Sequence, residues 1–503
     1  MPGVVEAIGG TTSSREPPSE RRSVGRGLVG RAANRWVPIT LVALSVVTGM
    51  AYSLWWGQVV QHHTRHPYWI TPGDFWATVR AAHFVGWHDL GGVYSATGVV
   101  VTFPGILVLL APLVMLGARL GLSESYPFLL PHPSSWLLYG PVEIALAGFA
   151  LLGLDALAER LGASRRRRGL VVVVAAVVLW QVPVIWGHPE DAIALGCAAY
   201  GLVAALDERW VATAWWFGAG LAFQPLVGLA YPVVLGVAGW RRWAPMLART
   251  LLVPGFLVAV PLVANFAQAS RSLITQPTYP QNPNAHDTPL LALARRLKTT
   301  HSATTASART TTARATTARA TTAITRAGGA TGAHRTRYYT PGPLFSRLHA
   351  GAAHLPAAVS GSTPRIGAVL VALVMMWFAA RHRHDPHLVA WAAAVALAAR
   401  PVFEAVDFPY YLAPGVAALV VVAATPRRTA SAALVALALG TTVLGYYHLG
   451  QWPWWLAMTT GTLLIAGIAA PGAATRPSSG RAPAGAGAAG QPEPRLLAEP
   501  SAS

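Results

Sequence analysis

A chain of 503 residues with a single cysteine and a single lysine gives up several chemistries before any motif is read. Cys197 stands alone in an apolar run, which excludes a disulfide within the chain and a thiolate metal site. Charge is scarce too: 11% of residues are charged and 53% hydrophobic, a balance that excludes a water-soluble domain of this length. There is no glycine-rich nucleotide loop, Walker motif or nucleophile elbow, so the marks of ATP-driven transport and serine hydrolysis are missing. The formal charge of +19 comes from arginines scattered over tails and loop ends, without a stripe of interleaved aromatics. That pattern suits membrane lipids with anionic headgroups as partners and argues against nucleic acid.

What is present is long apolar runs. Crossing a hydrocarbon core takes about 17 to 25 residues. Such runs fall near 37–57, 98–118, 136–158, 169–187, 189–206, 211–236, 244–264, 365–380, 387–400, 409–424, 429–447 and 453–470. They predict an all-α fold, a polytopic transmembrane bundle of about twelve helices. An N-terminal module, 37–264, and a C-terminal module, 365–470, flank a long outer loop, 265–364. In that loop Thr311-Thr312-Ala313-Arg314-Ala315 repeats as Thr316-Thr317-Ala318-Arg319-Ala320. The tract 299–335 lacks the aromatic and branched apolar residues of a core and is expected to be a flexible insertion. The tail 471–503, rich in Pro, Gly, Ala and Ser, is expected to be disordered and cytoplasmic.

Residues 1–36 carry Arg15, Arg21, Arg22, Arg26, Arg31 and Arg35 and no apolar run, so they read as a basic cytoplasmic tail and not as a cleavable signal. The positive-inside rule then puts the loop 58–97 outside the cell membrane. One cluster conflicts: Arg165 to Arg168 falls outside if every run crosses fully. Either these arginines lie at an outer headgroup surface, or a segment between 98 and 236 is re-entrant or split, with Pro104, Pro112 or Pro225 as the break.

Four stretches carry candidate chemistry. In Thr71-Pro72-Gly73-Asp74-Phe75-Trp76 a carboxyl group sits among Trp69, Phe75, Trp76, Phe84 and Trp87, where its desolvation is costly unless a partner or substrate uses the charge. Asp74 is the catalytic candidate. Trp186-Gly187-His188-Pro189-Glu190-Asp191 puts three polar groups in a tight turn. They either bind a headgroup, or Glu190 and Asp191 cap the next helix through its dipole. Strict alternation of passes places this turn on the inner side, away from Asp74. In Arg400-Pro401-Val402-Phe403-Glu404-Ala405-Val406-Asp407-Phe408-Pro409-Tyr410-Tyr411, Arg400 and Glu404 are spaced to pair on one helix. Arg400 suits a lipid phosphate and Tyr410 and Tyr411 a sugar pocket, unless the stretch is an interfacial aromatic belt with a structural ion pair. Gln281-Asn282-Pro283-Asn284-Ala285-His286-Asp287 reads as a lid whose Asn284 and His286 meet a sugar or phosphate, or as a turn-rich loop. His62, His63, His66, His382, His384 and His387, with Asp385, read as solvated groups and not as a metal site.

The pattern Asp74, Arg80-Ala81-Ala82, Gly86, Tyr94 and Phe103-Pro104 resembles the start of the GT-C superfamily of membrane glycosyltransferases, nearest the bacterial polyprenyl-phosphate-mannose-dependent mannosyltransferases. Gly187-His188 stands where such proteins often carry a Gly-Gln or Gly-His turn, and Gly220-Leu221-Ala222-Phe223-Gln224-Pro225 is similar to their Lys-Pro helix, with Gln224 in place of the lysine. The resemblance covers about residues 37–265 and, more loosely, 400–414. It implies transfer of a sugar, such as mannose, from a polyprenyl phosphate to an envelope lipid or glycan hydroxyl on the outer face, with inversion and without metal or cofactor. It makes Asp74 the base, and Arg80, His83, Tyr94, His188, Glu190, Asp191, Gln224, Asn284, His286, Arg400, Glu404, Tyr410 and Tyr411 the substrate-binding candidates. Two other classes stand beside it. A lipid or solute transporter would need structural repeats lining a central path, and none is visible in the sequence. A noncatalytic membrane scaffold would keep the helices and lose the site.

Overall fold

The computed structural model of the chain describes residues 35–60, 72–94, 102–122, 134–270, 272–273, 286–287, 363–403, 406–423, 428–445 and 451–471. Their regular elements are helices apart from one two-residue ladder, in agreement with the all-α expectation. The N-terminal helices are α1 (Trp36–Val60), α2 (Gly73–Gly86), α3 (Pro104–Arg119), α4 (Ser134–Ala147), α5 (Phe149–Arg160), α6 (Arg165–Gln181), α7 (Pro189–Leu206), α8 (Trp210–Phe223), α9 (Tyr231–Ala238), α10 (Trp243–Ala264) and α11 (Phe266–Ser270). After β1 (His286–Asp287) come α12 (Thr363–Arg381), α13 (Pro386–Ala398), α14 (Arg400–Phe403), β2 (Val406–Asp407), α15 (Leu412–Ala423), α16 (Arg428–Leu444) and α17 (Gln451–Ala469). The low-complexity tract, residues 1–34 and residues 472–503 lie outside the described residues.

Six helical stretches are long and apolar enough to cross a membrane: Trp36–Trp55, Ser135–Arg160, Arg165–Trp186, Pro189–Leu206, Trp240–Ala264 and Pro386–Phe403. Shorter apolar stretches of 10–17 residues include Pro104–Arg119, Pro225–Ala238, Ile366–Arg381, Pro409–Ala423, Ala432–Leu444 and Pro453–Ala469. Their outward faces are greasy: α10 exposes Leu251, Leu252, Phe256 and Val263, and α12 exposes Leu370, Val374 and Trp377. A water-facing helix rarely does so. Inside, small residues let backbones approach, as where Gly153 of α5 lies against the backbone of Gly196 on α7.

One end of the bundle collects many of the arginines. Arg168 grips Asp155 with its Nη2 at 2.6 Å from Oδ2, and reaches Glu159 at 3.1 Å. Arg35, just before α1, lies 3.9 Å from Asp155 and 3.3 Å from Glu159. Arg160 meets Asp207 at 2.5 Å, and Arg160, Arg241, Arg242 and Arg383 border a common cavity. The conflict over Arg165 to Arg168 is therefore resolved: that cluster shares an end with the start of α1. Because Asp155 and Arg168 are both buried, losing either partner would cost about 3–5 kcal/mol.

The chain manages this through a break and a side-step, which corrects two expected passes. The run 211–236 is not one helix. Proline lacks the amide hydrogen that continues a helix, and at Gln224-Pro225 α8 ends, a 3-10 segment (Pro225–Leu229) turns the chain, and α9 returns toward the arginine end. The run 98–118 gives α3, whose start lies against the backbone of Ala222 and Phe223 and whose Gly117 lies against Tyr139, early in α4. Both of these contacts are remote from the arginine end. The hydroxyls of Thr78 and Thr102 stand 3.1 Å apart and Gly86 abuts Met115, so α2 and α3 run side by side in one direction.

Candidate functional site

The site grows from a turn between two buried helices. After α6 the chain tightens into a π turn, Val182–Trp186, and reverses at Gly187, whose φ of 71° is left-handed. A Cβ there would stand 2.7 Å from the Cβ atoms of Pro72 and Phe75, so the start of α2 rests directly on this glycine. That contact delivers Asp74 to His188. The expectation that the 186–191 turn lies across the membrane from Asp74 is overturned: Nε2 of His188 is 3.2 Å from Oδ2 of Asp74.

His188 is the hub. Its Nδ1 stands 2.8 Å from Oε1 of Glu190, and its Nε2 also meets the Tyr410 hydroxyl at 3.1 Å. The Tyr410 ring stacks on the imidazole at 4.6 Å and 18°, backed by Trp186 at 5.2 Å. Burial opposes charge on this ring, but Glu190 and Asp74 outweigh it and hold the proton well above the usual histidine range. As an imidazolium, His188 donates from Nδ1 to Glu190 and from Nε2 to Asp74.

Beside this hub, Gln224 donates from Nε2 to Oδ1 of Asp191, and the other Asp191 oxygen lies 3.8 Å from Arg400. The Arg400 guanidinium sits 3.5 Å over the Tyr411 ring. Glu190 and Asp191 stand in the first turn of α7, where the helix dipole favours acids, and their carboxyl groups also meet His188, Gln224 and Arg400. Asp74 is exposed, with half its side chain open, and among the described residues its Oδ1 accepts no hydrogen bond.

His188, Glu190, Asp191, Gln224, Arg400, Tyr410 and Tyr411 thus converge with Asp74, whereas three other candidates do not. Tyr94 is buried and donates its hydroxyl to the Thr102 carbonyl at 3.1 Å, which ties down the return from α2 to α3. Arg80 is exposed and follows Asp74 by six positions, a rotation that carries it off the Asp74 face. His83 lies further along α2 and packs on the Trp87 ring at 5.8 Å. Asn284 and Glu404 lie outside the described residues, so the expected Arg400–Glu404 pair does too. His286 is described through its backbone, which pairs antiparallel with Asp407 while Asp287 pairs with Val406. The long loop is thus pinned to the segment that carries Tyr410.

Sequence reasoning missed Glu143. It is fully buried on α4, neither of its oxygens has a partner among the described residues, and it lies within electrostatic reach of Glu190 and His188. The available signal was its position as the lone acid in the apolar stretch Ser134–Ala147. Of the histidine group near 385, Asp385 caps α13 by accepting from the amides of His387 and Leu388. Comparison of the chain with family models, curated proteins and solved structures finds no match.

Proposed function

We propose that the protein is a multi-pass membrane glycosyltransferase that moves a sugar from a polyprenyl phosphate to the hydroxyl of an envelope lipid or glycan. The observation that carries this reading is the convergence of Asp74 with the 400–411 segment around His188. Asp74 has one oxygen held by an imidazolium and the other open, as a general base needs. As the acceptor oxygen bonds to the anomeric carbon, Asp74 takes its proton; the bond from that carbon to the phosphate oxygen breaks with inversion, and the lipid phosphate leaves with the electron pair. Arg400, kept in place by Asp191 and the Tyr411 ring, is the donor for that phosphate.

On this reading the chain crosses the cell membrane about twelve times, counting α8 and the 225–238 arm as separate passes and α3 as none. The arginine end then faces the cytoplasm with the N-terminus, and Asp74 the outer surface.

The test is transfer from radiolabelled polyprenyl-phosphate hexoses and pentoses to membrane acceptors by the purified protein. Asp74→Asn is expected to lower transfer by about two to four orders of magnitude. Asp89→Asn, in the turn after α2, is expected to leave it unchanged. Full activity in Asp74→Asn would remove the assigned base, and no transfer by the wild type from any of these donors would leave the noncatalytic scaffold in its place.

A further inference from the structure

The arginine end of the bundle holds a cavity of about 560 Å³, within the range of small-molecule sites. Its walls come from segments far apart in the chain: the 3-10 turn Trp240–Arg242, the turn that carries Arg383 and His384, Trp210 at the start of α8, and Arg160 at the end of α5. Arg160 is neutralised by Asp207. Among the described residues, by contrast, no carboxylate lies within ion-pair distance of Arg241, Arg242 or Arg383, although Glu208 also borders the cavity.

We propose that this cavity binds a phosphate-bearing group through Arg241, Arg242 and Arg383. Arg383 donates from Nε to the His384 ring at 3.2 Å, and three arginines without a carboxylate partner among the described residues repel one another around one concave space, a repulsion that an anion with several acceptor oxygens relieves. Guanidinium forks match phosphate oxygens in pairs. Two of the three are braced by rings: Arg241 lies 5.6 Å over Trp240, and Arg242 lies 5.1 Å over Trp210. Trp240 is 74% exposed at the rim, the position an indole takes at a membrane surface. The positive-inside rule alone would require arginines near helix ends; it would not require them to face one cavity from two separate turns. The site is remote from Asp74, since α7, with 18 residues, separates His188 from the arginine end by about 27 Å.

The source of the phosphate is either an anionic lipid headgroup or a soluble phosphate ester, and the experiment separates them. The full chain in phosphatidylcholine nanodiscs is titrated with phosphatidylglycerol in the bilayer in one arm and with glycerol phosphate in solution in the other. Thermal melting and retention of ligand in native mass spectrometry are read in both. Saturable stabilisation in either arm is expected, and the responding arm names the source. Arg241→Gln, Arg242→Gln and Arg383→Gln are each expected to weaken the response about tenfold. Arg249→Gln, an exposed charge on α10 outside the cavity, is expected to keep it. The Arg→Lys changes retain charge and should fall between, and they serve if a glutamine variant fails to fold. No response in either arm, wild-type response in the three cavity variants, or equal loss in Arg249→Gln would overturn the proposal.

Discussion

His188 and Asp74 are 114 residues apart in the chain and 3.2 Å apart in space. This contact joins an exposed carboxyl group to a buried ring that is held from behind by Glu190 and stacked by Tyr410. The ring fixes which way Asp74 points.

His188→Gln should therefore lower the turnover number about ten- to a hundredfold, since a base misplaced by an ångström loses rate of that order. The loss should be smaller than for Asp74→Asn, with donor KM little changed. Unchanged turnover in the glutamine variant would show that the imidazole does not orient the base.

The same ring makes stability depend on pH. A histidine whose folded pKa is raised contributes its full stabilisation below the unfolded value, about 6.5, and loses it as pH climbs through the raised folded value. Melting temperatures of the detergent-purified protein should fall on the alkaline side of neutrality. In Glu190→Gln, which removes a major source of the shift, the fall should begin at lower pH. A flat profile for both proteins would contradict the charged assignment.

Gly187→Ala probes the seat of α2. The left-handed φ and the 2.7 Å approach to Pro72 and Phe75 leave no room for a methyl group. Backbone strain of this kind costs about 1–3 kcal/mol. Transfer should suffer more than melting temperature, because the shift separates Asp74 from His188. Equal activity with a lowered melting temperature would mean that Asp74 works without this seat.

The course of the chain is open to thiol labelling. In a Cys197→Ala background, Ala163→Cys and Trp240→Cys should react from the same side of the membrane, and Trp87→Cys from the other. An impermeant reagent applied to intact cells and to lysates distinguishes the sides. Opposite labelling at positions 163 and 240 would restore an unbroken 211–236 pass.

Hydropathy alone revealed the helical class, because apolar runs and their arginine flanks are local properties. The break at Pro225 was readable as one of several candidates, since proline marks where a helix can stop but not whether it does. The side of the 186–191 turn was misread through the same ambiguity: each misplaced pass inverts everything that follows. Within the site, Asp74, His188 and Arg400 stood out as polar groups in apolar surroundings, which needs no partner to see. Their mutual contacts did not, because α2 meets the turn before α7 at Gly187, a residue whose role is the absence of a side chain. Tyr94 looked like a ligand contact, and its buried hydroxyl is bonded to the Thr102 carbonyl, a burial that residue type does not encode.

Asp155 faces two arginines that the ribosome makes at different times. Arg35 precedes it and Arg168 follows it, and the carboxyl group lies 3.9 Å from the first and 2.6 Å from the second. One carboxylate thus ties the chain before α1 to α5 and α6, so its removal takes a counter-charge from two arginines at once, one of them buried.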